Sequence, residues 1–156
     1  MANTTSVVEI VEMPLDDLLS KATDLFKAHH KEVSHYQDDF RLEIDTLRYK
    51  AMEQRDSLMV IGAKYHTKIV GYSVSVIAPM SHHASTLCCY NDAIYVDKKY
   101  RVNGVGTALI KSTEKLAKEK YGCDVMLIHG KPRTRITLLL PSIGYDKFEV
   151  TFSKRL

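Results

Sequence analysis

Residues 94–109 read Ile-Tyr-Val-Asp-Lys-Lys-Tyr-Arg-Val-Asn-Gly-Val-Gly-Thr-Ala-Leu, a β-branched run followed by a basic, Gly-punctuated turn and the start of an amphipathic helix. The chemistry this order offers is anion binding. Gly104 and Gly106 admit dihedrals and close approaches that a side chain would block, and a helix opening behind them adds N–H groups and the positive end of its dipole. Lys98, Lys99 and Arg101 supply formal charge nearby. Three phosphate-loop patterns compete, and spacing separates them. Gly-x-x-x-x-Gly-Lys-Ser/Thr fails, because no Lys-Ser or Lys-Thr pair sits behind such a run. The dinucleotide pattern Gly-x-Gly-x-x-Gly begins correctly at Gly104 and Gly106, and Asp124 lies near the distance of a ribose-binding carboxylate. Leu109 nevertheless stands where the third Gly belongs, and repeated βαβ units are missing. The third pattern is Arg-x-x-Gly-x-Gly at Arg101, Gly104 and Gly106, behind a strand ending Ile94-Tyr95-Val96.

This third pattern resembles the pyrophosphate-binding signature of the GNAT superfamily of acyl-CoA-dependent N-acyltransferases, Gln/Arg-x-x-Gly-x-Gly/Ala. The resemblance extends over nearly the whole chain, in the order strand, two helices, hairpin, signature strand and helix, strand, helix and closing hairpin. It implies an α/β (α+β) fold, with a mostly antiparallel sheet of about six to seven strands, about four flanking helices and a splay between strands 4 and 5. Acetyl-CoA is the implied co-substrate, without a metal. Its pantetheine arm is expected to pair like an extra strand with the backbone of Ile94, Tyr95 and Val96, and its diphosphate to sit on Arg101, Val102, Asn103, Gly104, Val105, Gly106 and Thr107.

Acyl transfer to an amine needs a held donor, a neutral amine and an oxyanion donor. By the same resemblance, a backbone N–H near Ile94 serves the oxyanion. An alkyl amine titrates near about 10.4, so a base must remove its proton. Asp92 lies where many GNAT members carry a catalytic Glu, with Tyr90 an alternative register and a solvated strand-edge Asp the bland reading; His129, at the end of the next strand, is the second candidate. Many members place a Tyr four residues before the Gly of a Leu-Gly-Phe element, where it can protonate the leaving thiolate. Here that element reads Ser142-Ile143-Gly144-Tyr145, and Leu140 holds the Tyr's place. Thiols titrate near about 8.5, so water, Ser142 or Tyr145 could deliver a late proton. Arg133 stands near the family's helix-four Asn and could meet a cofactor phosphate.

The elements that must position these groups follow from periodicity. Residues 6–13 read as a strand closed by Pro14. A helix to about residue 30, capped by Asp16 or Asp17, has Leu15, Leu18, Leu19, Ala22, Leu25 and Phe26 as its stripe. A second helix is predicted over 38–54 with Phe40, Ile44, Leu47 and Met52 inward. Runs 57–64 and 69–78 form a hairpin through Tyr65-His66-Thr67-Lys68, with Gly71 in the family's Val-Gly-Tyr place. A loop over 79–85 leads to the signature strand, 86–96. The helix over 104–121 is expected to bury Val105, Ala108, Leu109 and Leu116 and to pair Glu114 with Lys118 and Lys115 with Glu119. A strand at 125–128, a helix opening at Lys131-Pro132 and a hairpin arm over 148–156 complete the order.

Other uses of the chain are disfavoured. The 156 residues, 45% hydrophobic, make one domain over 1–156 the simplest organisation. A net charge of +3 is mild and its basic clusters bracket the phosphate loop, which argues against a nucleic-acid surface. Cys88, Cys89 and Cys123 are odd in number and show no disulfide framework, and no apolar run reaches a membrane span, so a cytoplasmic setting is expected. His29, His30, His35, His82 and His83 lack metal-ligand spacing. In this fold Tyr36, His35, Asp38 and Asp39 would flank the acceptor cleft. The expected partners are acetyl-CoA and an amine, small-molecule or protein-borne, with a homodimer open. The function read is acetyl transfer from acetyl-CoA to a primary amine by direct attack in a ternary complex, since no cysteine is placed as a covalent relay. The alternative is a non-catalytic acyl-CoA-binding or protein-binding domain.

Overall fold

Leu58-Met59-Val60-Ile61 is an apolar run with no polar residue, which suits a strand covered on both faces. The computed structural model, which describes residues 7–36 and 38–156, places it centrally. Strands β1 (Glu9–Glu12), β2 (Leu58–Tyr65), β3 (Lys68–Met80), β4 (His83–Val96) and β5 (Val125–Ile128) form one sheet in the order β1-β2-β3-β4-β5. The first three pairings are antiparallel and β4–β5 is parallel. This is the expected mixed α/β architecture with a mostly antiparallel sheet, built, among the described residues, on five strands rather than six or seven.

Alternation divides the core into two halves. Leu58, Val60, Tyr72, Val74 and Tyr95 face one side, where α1 (Leu15–Lys21) and α2 (Thr23–Val33) cover them with Leu15, Leu18, Leu25 and Phe26. Met59, Ile61, Val70, Cys89 and Val96 face the other, under Val105, Leu109 and Ala117 of α4 (Val105–Glu119). Leu109 is fully enclosed, and truncating such a leucine to Ala costs about 2–5 kcal/mol. The buried stripe of α4 also takes in Ile110 and Thr113, whereas Ala108 is exposed. The charged partner of Glu114 is Lys111, 3.0 Å away. Gly71 lies where sheet and turn crowd: a Cβ there would meet the Tyr95 carbonyl at 3.0 Å.

Several boundaries differ from the sequence reading, each for a local reason. The helix predicted to residue 30 is broken at Ala22 (φ −117°), Pro14 takes the N-cap position, and Asp16 and Asp17 fall in the first turn. The helix predicted over 38–54 is only α3 (Thr46–Glu53), because the Asp45 carboxylate accepts the Arg48 N–H at 3.0 Å and starts it there; Phe40 and Leu47 are exposed. Residues 81–82 make a tight turn joining β3 directly to β4, in place of the loop over 79–85. Residues 131–134 form turns before α5 (Arg135–Ser142) begins. The predicted first strand is shorter, and Ser6 lies outside the described residues. The arm over 148–156 alternates Phe148, Val150 and Phe152 but forms no strand, since no ladder receives it. It runs instead to the α2–α3 joint, where Arg155 meets Asp39 at 2.7 Å and Ser153 Oγ lies 3.4 Å from the Tyr36 hydroxyl.

Candidate active site

The parallel ladder between β4 and β5 runs from Cys88↔Val125 to Asn91↔Ile128 and stops, while β4 continues to Val96. The two strands therefore part beyond Asn91, leaving one side of the β4 backbone without a ladder. On its other side, β4 pairs Ser75 with Asn91 and Val74 with Ala93, so Asp92 is an extra, bulged residue. The bulge shifts the phase of the strand: Asp92 and Ala93 both line the same cavity. Asn91, 2% exposed, secures this irregularity. Its amide nitrogen lies within hydrogen-bond reach of Ser73 Oγ (3.0 Å), Ser75 Oγ (3.2 Å), the Val74 carbonyl (3.3 Å) and the Ala93 carbonyl (3.4 Å). Thr113 of α4 ties Ser73 in from behind at 3.2 Å. Downstream, Asp97 donates its N–H to Val70 on the β3 side at 2.8 Å, and Arg101 Nε donates to the Val96 carbonyl at 2.7 Å. Two-residue alternation then turns the backbone N–H groups of Ile94 and Val96 toward the gap.

The cavity, about 440 Å³, lies between the sheet and α1, α2 and α3. Tyr49 of α3 donates its hydroxyl to Asp92 Oδ2. Burial, reinforced by that carboxylate, pushes the Tyr49 phenol above its ordinary range, so it stays a donor. His29 of α2 stacks on Tyr95 with ring centroids 4.7 Å apart, and its Nδ1 lies 2.5 Å from the Tyr72 hydroxyl. Burial lowers the His29 pKa to about 4, leaving the imidazole neutral at physiological pH. One turn on, Glu32 takes the Arg101 guanidinium at 2.7 and 2.9 Å and the Tyr95 hydroxyl at 2.8 Å. The Arg101 bond is the main reason its carboxyl falls to about 2.

Beyond β4, a 3-10 turn at Lys98–Tyr100 leads to Asn103 (φ 53°) and Gly104 (φ 74°), the N-cap of α4. A Cβ built on Gly104 or Gly106 meets nothing within 4 Å, so there is open space above a helix start, as a diphosphate would require. A family model described as "Acetyltransferase (GNAT) family" matches residues 19–136. The chain belongs to the GNAT acetyltransferase family. Among solved structures, an aminoglycoside acetyltransferase from an uncultured soil metagenomic sample, in complex with trehalose, is 20% identical with a TM-score of 0.73, covering 96% of each chain. The ribosomal-protein-alanine N-acetyltransferase of Brucella melitensis biovar Abortus 2308 is 17% identical (TM-score 0.71, 96% and 99% covered). The glucosamine-6-phosphate N-acetyltransferase of Arabidopsis thaliana is 14% identical (TM-score 0.70, 96% and 98% covered). At these identities the likeness is one of fold. No curated protein matches the sequence significantly.

Within this GNAT domain the predicted groups fall as follows. Asp92 stands on the cavity wall, and His129 follows Ile128 as an exposed residue at the opposite lip of the gap; no hydrogen bond or ion pair joins the two. Arg101 adjoins the glycine turn, but its guanidinium is engaged by Glu32, so it anchors the turn rather than presenting free charge. Val102, Asn103, Gly104, Val105, Gly106 and Thr107 form the turn and the first helical residues. Leu140 is buried. Ser142 Oγ donates to the Leu139 carbonyl, and the Tyr145 hydroxyl lies 3.4 Å from the Met126 sulfur, away from the cavity. Tyr36, His35, Asp38 and Asp39 do not line the cavity, whereas His29, His30, Glu43 and Asp45 do. Tyr49 and Tyr72 were missed: each is an ordinary aromatic in its own helical or strand pattern, and only tertiary packing brings them to Asp92 and His29. Among the described residues no cluster could hold a metal, and no helix is long and apolar enough to cross a membrane.

Proposed function

We propose that this chain, taken as one domain over residues 1–156, is an N-acetyltransferase that moves an acetyl group from acetyl-CoA to a primary amine by direct attack in a ternary complex. One observation carries the reading: the β4–β5 ladder ends at Asn91, the next two residues of β4, Asp92 and Ala93, line the cavity, and the same strand runs on to Val96 and the glycine turn. Acetyl-CoA supplies an activated thioester. Backbone groups of Ile94, Tyr95 and Val96 would hold its arm, and N–H groups at Gly104, Gly106 and Thr107 its diphosphate. The Ile94 N–H is the donor for the developing oxyanion. Asp92 is the base, directly or through water, with His129 across the gap as the alternative proton acceptor. The amine nitrogen bonds to the acyl carbon, the carbon–sulfur bond breaks, and the amine proton passes to the base. The free thiolate needs little assistance, which accommodates the apolar Leu140.

A covalent relay finds no support. Cys88 and Cys89 are fully buried, and burial pushes the Cys89 thiol up to about 11. Three unpaired cysteines suit a cytoplasmic setting. Leu140 also favours a second reading, a non-catalytic acyl-CoA-binding or protein-binding domain. Thermal shift with acetyl-CoA, followed by thiol release over an amine panel, separates them. Stabilisation plus turnover is expected, with turnover falling about 10²–10⁴-fold in Asp92→Asn while the shift persists. Binding without turnover on any amine points to the second reading, and no shift at all defeats both.

A further inference from the structure

The cavity beside Asp92 is chemically lopsided. Its accessible apolar lining is Leu19, Ile44, Met52 and Val76, backed by the buried Leu18, Phe26 and Val74, while carboxylates from Glu43, Asp45 and Asp92 stand on the lining with Arg48 as a single formal cation. Helix α3 makes the gradient explicit: Asp45, Tyr49 and Met52 succeed one another along its cavity-facing side, polar at the N-terminal end and apolar at the C-terminal end. His29 on the wall is kept neutral by burial and adds no positive charge. The volume, about 440 Å³, is in the range of small-molecule sites.

Resting on the proposed acetyl transfer, we infer that the acceptor is a primary monoamine carried on a compact apolar body, aromatic or branched aliphatic, with the ammonium at the Asp92 side and the body against Leu19, Ile44, Met52 and Val76. The carboxylates attract one cation and Asp92 lies where that cation must lose its proton. A second ammonium, or the hydroxyls of an amino sugar, reaching past Asp92 onto Leu19, Ile44, Met52 and Val76 would have to shed water against apolar side chains, whereas a hydrocarbon body gains by its burial there.

The test uses 2-phenylethylamine as the probe, with spermidine and kanamycin as the polar comparators. Saturation-transfer NMR reads amine binding to the protein alone, and thiol release reads transfer at saturating acetyl-CoA. The expected result is saturable binding of 2-phenylethylamine and a kcat/KM at least about tenfold above either comparator. Met52→Glu, on the partly exposed α3, is expected to raise its KM about tenfold without altering the acetyl-CoA thermal shift; Leu19→Gln serves if Met52→Glu folds poorly. Preference for spermidine or kanamycin, or absence of 2-phenylethylamine binding, overturns the inference while leaving the transferase reading intact if acetyl-CoA still binds. Binding of 2-phenylethylamine without any acetyl-CoA shift does the reverse, sinking the transferase reading and retaining the occupant of the cavity.

Discussion

The Arg101 guanidinium lies across the Glu32 carboxylate, with nitrogens 2.7 and 2.9 Å from its two oxygens, so the turn after β4 is fastened to the end of α2. Because the Glu32 pKa is lowered from 4.5 to about 2, chiefly by this bond, its contribution is fully present above about pH 4.5 and is lost as pH falls toward 2. Glu32→Gln is expected to cost about 1–2 kcal/mol at neutral pH. The variant should also flatten the fall in Tm between pH 4.5 and 2, read by calorimetry against the parent. An equal acid slope in both proteins would show that the pair does not govern that window.

His29 acts over the adjoining window with its own sign. Its folded pKa, about 4, lies below the usual 6.5, so both states are neutral above 6.5 and the folded state resists a proton that the unfolded chain accepts below it. Stability should therefore decline as pH drops from 6.5 to 4. His29→Phe, which preserves a ring against Tyr95, is expected to remove that decline in a Tm series.

Asn91 carries the bulge. Asn91→Ala removes a buried amide from Ser73, Ser75 and two carbonyls, and about 1–3 kcal/mol of stability should go with it in urea titration. If the bulge positions Asp92, kcat falls as well while the acetyl-CoA shift is unchanged. Loss of stability with full kcat would make Asn91 purely structural.

The two glycines of the turn should respond differently. Gly104 has φ 74°, so Gly104→Val carries about 1–2 kcal/mol of backbone strain. Gly106 has an ordinary helical position with open space above it, so Gly106→Val should leave Tm within a few degrees yet abolish stabilisation by acetyl-CoA. Retained stabilisation would remove the diphosphate from this turn.

What could be read from the chain was local. The glycine turn, α4, and the β2–β3 hairpin announced themselves through Gly spacing, the amphipathic period and β-branched runs, and the mixed sheet followed from their order. What escaped was pairing. Nothing in Asn91-Asp92-Ala93 marks Asp92 as unpaired, because a bulge is a relation between β4 and β3. Likewise Phe148, Val150 and Phe152 carry strand periodicity, but periodicity supplies no neighbour to bond with. Tyr49, forty-three residues from Asp92, was visible only as a helical aromatic. The helix predicted over 38–54 failed at Asp45, whose capping role outweighed the apolar spacing before it.

Position 92 is a residue that β4 carries without needing it for its ladder. Taking it out would leave Ser75 opposite Asn91 and Val74 opposite Ala93, with Ala93 and Tyr95 still toward α1 and α2 and Ile94 and Val96 still toward α4. Tyr95 would keep its bond to Glu32, and the strand would lose the carboxylate at the cavity wall and nothing downstream of it.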